Sequence, residues 1–73
     1  MNRTKDQNFL IKNIFSKVAA YIAEDRKITS EEALDILFNT ELARQIEDLE
    51  TGYYTESPGY IYEIFKEKYN IQS

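Results

Sequence analysis

The sequence predicts an all-α fold, a compact bundle of four short helices over about residues 6–24, 30–38, 41–49 and 58–69. Three observations carry this. Apolar residues recur at three- and four-residue spacing in four separate stretches, a capping residue stands at the head of each, and no segment of useful length alternates with period two.

The first helix has Thr4 or Asp6 available as its cap. At about 100° per residue, Leu10, Ile11, Ile14, Phe15, Val18, Tyr21 and Ile22 fall within roughly 140° of arc. Lys5, Lys12, Asn13, Ser16, Lys17 and Glu24 take the other side, and Phe9 projects among them, either exposed or covered by another element. The charged run Asp25-Arg26-Lys27 is where this helix should stop. Thr29 heads the second helix with Glu32 three positions on, the capping-box pattern in which side chains and orphan amides satisfy each other reciprocally. Ile28 precedes the cap where a hydrophobic staple residue sits, and Glu31, Glu32 and Asp35 crowd the end that the helix dipole makes favourable for carboxylates. Ala33, Leu34, Leu37 and Phe38 make its apolar face, with Ile36 to one side.

Asn39 is suited to the left-handed conformation that ends a helix, and Thr40 can cap the next. That third helix, about Glu41 to Leu49, should bury Leu42, Ala43, Ile46 and Leu49, with Gly52 as its stop. Ser57-Pro58 then gives a serine cap followed by a proline whose preset φ and missing donor suit the first helical position. In the fourth helix Tyr60, Ile61, Ile64 and Phe65 form one stripe. Tyr62 and Tyr69 extend it to roughly 200° of arc, which predicts that this helix is the central one.

The chain of 73 residues reads as one helical domain, 1–73, with residues 1–5 expected to fray. It has no cysteine and no histidine, so the sequence offers no disulfide, no thiol nucleophile and neither the commonest general base nor the commonest metal ligand. No apolar run approaches the roughly 18 residues of a membrane span, and the polar start from Met1 to Asn8 does not read as a secretory signal. A cytoplasmic protein without a membrane role is the expectation. The formal charge of −4 hides an asymmetry. Residues 1–27 carry six bases (Arg3, Lys5, Lys12, Lys17, Arg26, Lys27) and three acids, whereas residues 28–63 carry Arg44 alone against nine acids. Such a chain is expected to dock its own basic and acidic parts, or a charged protein partner, rather than coat a polyanion; ordinary solvated faces would give the same pattern.

Six tyrosines stand in the sequence, and five of them (Tyr53, Tyr54, Tyr60, Tyr62, Tyr69) follow position 52. Tyrosine offers rigid, amphipathic area enriched at protein interfaces, so these five are the candidate partner-binding residues. The same residues would also serve as bulky edges of a small core. The segment from Glu50 to Tyr60 holds both glycines and the only proline, and reads either as a binding loop or as the connector between the third and fourth helices. It lacks the lysine and spacing of a phosphate cradle. The acidic groups Glu31, Glu32, Asp35 and Glu47, Asp48, Glu50 do not follow the calcium-loop order, and dipole complementation explains the first of them. No metal or cofactor is expected.

The second and third helices have a helix-turn-helix outline, but Glu41, Glu47 and Asp48 would set a negative face against phosphates. Lys5, Lys12 and Lys17 are the alternative nucleic-acid contacts. A serine nucleophile would need an oriented base and paired carboxylates a cleft, so an enzyme is not expected.

The order of features is more distinctive than any one of them: an amphipathic first helix, then Ile28-Thr29-Ser30-Glu31-Glu32-Ala33-Leu34, Glu50-Thr51-Gly52-Tyr53-Tyr54 and Ser57-Pro58-Gly59-Tyr60-Ile61-Tyr62. Over about residues 9–69 the chain resembles short all-helical bacterial proteins catalogued as domains of unknown function, some encoded beside toxin-like genes. The resemblance rests on caps and turns and carries no catalytic residues. It implies a cytoplasmic bacterial protein and an antitoxin-like or other partner-binding role. Sequence and resemblance together predict a small acidic protein–protein interaction module working through the tyrosine-rich fourth helix and the loop before it. Its partner would be another protein or a second copy of itself. A regulator that binds or mimics nucleic acid is the alternative.

Overall fold

The first helix opens on a reciprocal cap. Thr4 Oγ1 accepts from the Gln7 amide at 3.0 Å, and Gln7 Oε1 accepts from the Thr4 amide at 2.8 Å. In the computed structural model, which describes residues 4–69, Thr4 rather than Asp6 is therefore the cap, and α1 runs Lys5–Arg26. Of the five residues expected to fray, 1–3 lie outside the described residues, while Thr4 and Lys5 are part of the capped turn. The charged run does end the helix: Lys27 takes a left-handed conformation (φ 59°, ψ 47°) and donates its amide to Ala23 O.

The second helix, α2, runs Ser30–Phe38 and opens on the expected box, with Thr29 Oγ1 accepting from the Glu32 amide at 3.1 Å and Glu32 Oε1 from the Thr29 amide at 3.0 Å. Asn39 does not take the left-handed conformation. It stays at φ −90°, ψ 9°, with its amide donating to Ile36 O and Leu37 O and its side chain donating to Asp35 O at 2.7 Å. A tightened last turn satisfies the free carbonyls without a positive φ. Thr40 caps the next helix, accepting from the Ala43 amide at 3.3 Å.

That helix, α3, spans Glu41–Glu47 and stops short of the expected Leu49. The cause lies downstream. Thr51 Oγ1 donates to the carbonyls of Gln45 and Asp48, and the Asp48 carboxylate accepts from the Glu50 amide at 3.0 Å. These side-chain bonds offer the backbone an alternative to another helical turn. Two 3₁₀ turns follow, Leu49–Thr51 and Tyr53–Thr55, on either side of Gly52 at φ 72°. A Cβ at Gly52 would meet nothing within 4 Å, so the glycine is there for its conformation and not for space. Ser57 Oγ then accepts from the Tyr60 amide at 3.2 Å, and α4 runs Pro58–Tyr69 with proline first, as expected. The described residues contain four α-helices and no strand.

Packing makes α1, not α4, the central element. Both α2 and α4 lie against α1, and α3 and the second 3₁₀ turn close the rest of its length. Ile11, Ile14, Phe15, Val18, Ala19 and Ile22 of α1 are buried, against only Ile61 and Phe65 of α4. Ala33 and Leu37 from α2 and Leu42, Ala43 and Ile46 from α3 complete the core. The breadth of the apolar arc on α4 misled the prediction because its edges are only half covered.

Named contacts fix the directions. The Ile28 amide donates to Ala23 O, and the tilted rings of Phe38 and Phe15 have centroids 4.8 Å apart, so α2 runs antiparallel to α1. Tyr54 meets Gln7, Tyr62 meets Tyr21, and Tyr69 meets Arg26, so α4 runs parallel to α1. At 1.5 Å per residue α1 is about 33 Å long, most of the 40 Å long axis of the molecule. No helix among the described residues is long and apolar enough to cross a membrane.

Candidate interaction surface

The five candidate tyrosines divide into separate groups. Tyr53 and Tyr54 sit in the second 3₁₀ turn, half-buried against the core, and the Tyr54 hydroxyl accepts from Gln7 Nε2 at 3.2 Å. The Glu50–Tyr60 segment thus connects α3 to α4, with Tyr53 and Tyr54 tucked beneath it. Tyr62 and Tyr69 lie on the α1–α4 seam about 20 Å further along α1, since residues 7 and 21 are separated by that rise. Tyr60 stands apart on the outer edge of α4, 52% exposed. It shares that side with the exposed Glu63 and Glu67.

The seam is an aromatic row. Tyr21 and Tyr62 have ring centroids 5.3 Å apart, Tyr62 and Phe65 6.2 Å, and Phe65 and Tyr69 5.5 Å. Cations lie over two of these rings: the Arg26 guanidinium 5.7 Å from the Phe65 centroid and the Lys66 ammonium 5.1 Å from that of Tyr62. Arg26 also donates to Tyr69 O at 3.4 Å, tying the ends of α1 and α4 together. Burial, and next the Asp25 carboxylate, raise the Tyr62 phenol above its ordinary 10.0. Beside the row, Tyr21, Glu24, Asp25 and Tyr62 line a shallow, open depression of about 310 Å³. Tyr21, Glu24 and Asp25 were not among the sequence candidates. Tyr21 and Asp25 are four residues apart on one helix side, but the spacing alone could not place Tyr62 beside them.

Lys5, Lys12 and Lys17 are all exposed on α1, around a Phe9 that is 68% exposed. They do not form one line. Lys5 and Lys12 are about 20° apart around the helix, whereas Lys17 is about 140° from Lys12. Elsewhere, Phe38 was expected on the apolar face of α2 but is 54% exposed, with Phe15 against one side of its ring. Among the described residues there is no cluster of three or more His, Cys, Asp or Glu side chains suited to a metal. Compared with models of protein families, with curated proteins and with solved structures, the chain matches none.

Proposed function

We propose that the protein is a small protein–protein interaction module whose docking surface is the outer and seam-side face of α4, with a role in the cytoplasm. The observation that carries this reading is the incomplete cover of that face: Tyr60 is half in solvent, and Tyr62 and Tyr69 are only partly buried. Large aromatic residues that a fold leaves partly exposed are the side chains that anchor interfaces. The resemblance of the chain's caps and turns to bacterial proteins encoded beside toxin-like genes makes a toxin-like protein the first partner to try, with a second copy of the chain next.

Tyr60 is the cleanest probe, since Tyr62 and Tyr69 also pack on the core and their truncation would mix stability with binding. Tyr60→Ala should change stability by no more than about 0.5 kcal/mol and weaken association at least about tenfold. Sedimentation of the purified chain and co-purification with the product of the adjacent gene would measure it. A monomeric wild type that captures no partner would sink the reading, as would a Tyr60→Ala chain that associates normally.

The alternative is nucleic-acid binding through the α1 face, supported by the exposed Phe9 set among Lys5, Lys12 and Lys17, a stacking residue beside phosphate contacts. It requires a strongly salt-dependent mobility shift with single-stranded DNA or RNA, lost in the triple lysine-to-glutamine variant. Absence of any shift at low salt would end it.

A further inference from the structure

The depression beside the α1–α4 seam brings two kinds of cation-binding group into one place. Tyr21 and Tyr62 present two tilted rings 5.3 Å apart, and the neighbouring Glu24 and Asp25 bring two carboxylates. Among the described residues neither carboxylate enters an ion pair, and Lys66 is held by Glu63 at 3.4 Å. Its ammonium lies over the Tyr62 ring, so that ring already serves as a cation platform within the chain, as Phe65 does for Arg26. A volume of about 310 Å³ is at the low end of ligand-sized clefts, room for one side chain and not for a folded segment.

We infer that this depression receives an arginine side chain of a partner protein, its guanidinium stacked on the exposed Tyr21 ring beside Tyr62 and paired with Asp25 and Glu24. Charge complementarity selects a cation. The pairing of flat rings with adjacent carboxylates favours the planar guanidinium, which stacks and forks at once, over the compact ammonium of lysine. The position at the edge of α4 makes this the specificity pocket of the docking face proposed above, on which the inference rests.

The test needs no identified partner. The chain is titrated with the capped tripeptide acetyl-Gly-Arg-Gly-amide, with Gly-Lys-Gly and Gly-Glu-Gly counterparts, while the Tyr21 and Tyr62 ring resonances are followed by NMR. Saturable shifts at those two rings with the arginine peptide, weaker with lysine and absent with glutamate, are expected. Asp25→Asn, which keeps the side-chain size, should weaken binding about three- to fivefold, the scale of an exposed charge pair. Tyr21→Leu should weaken it about threefold. Equal response to the glutamate peptide, no saturable shift, or unchanged affinity in Asp25→Asn overturns the inference. Because the peptide experiment is read on the chain alone and the Tyr60→Ala experiment on a partner, failure of the pocket and failure of the docking face give different results.

Discussion

Tyr62 shows how one side chain is shared between core and surface. Its ring contacts Tyr21, Phe65 and the Lys66 ammonium, while its hydroxyl lies where burial and Asp25 both oppose ionisation, with a smaller opposite pull from Arg26. The folded chain therefore holds that proton more tightly than the unfolded chain does. The corresponding stability is intact below the ordinary value of 10.0 and is lost as pH rises through the higher folded value. Thermal denaturation carried into the alkaline range should accordingly fall more steeply in the wild type than in Tyr62→Phe, which has no proton to lose. Parallel curves would mean that neither the burial of the Tyr62 hydroxyl nor the Asp25 carboxylate beside it carries energetic weight. At this scale the sequence was partly readable. The crowding of tyrosines after position 52 was visible in composition, but their division into tucked (Tyr53, Tyr54), seam (Tyr62, Tyr69) and exposed (Tyr60) groups depends on which neighbours cover them.

Helix starts were the most legible elements, because a cap is a local event. Thr29, Thr40 and Ser57 each accept the amide their position predicts, and Thr4 settles the open choice with Asp6. Helix ends were less so. The early stop of α3 depends on Thr51 reaching back to carbonyls up to six residues away, and Asn39 closes α2 without the positive φ that its residue type suggested. The positive φ falls instead on Lys27, an ordinary residue where glycine is favoured. Lys27→Gly should therefore stabilise the chain by about 0.5–1 kcal/mol, the relief of left-handed strain offset in part by greater freedom of the unfolded backbone. Chemical denaturation would register this as a higher midpoint at unchanged slope. A lower midpoint would show that contacts of the lysine stem outweigh the strain.

Over the whole molecule, the charge asymmetry does not resolve into internal docking. The one ion pair among the described residues, Lys66–Glu63, is a local pair within α4, and no acid of residues 28–63 is matched to a base of α1. The expected docking of basic and acidic parts on each other is therefore not found among the described residues. The all-α class was legible because periodicity survives any arrangement of helices. The identity of the central helix was not, because a wide apolar arc has the same pattern whether a fold covers it fully or by halves. The parallel course of α4 along α1 has a mechanical consequence. Thr4 heads α1 and Tyr69 meets Arg26 at its far end, so the two ends of the described chain lie at opposite poles of a 40 Å body. Tension applied between them loads the α1–α4 seam in shear, where Ile61, Phe65, Tyr62 and Tyr69 must slip together, rather than peeling them away one at a time. A pull along that axis therefore meets the contacts of the seam together and not in turn.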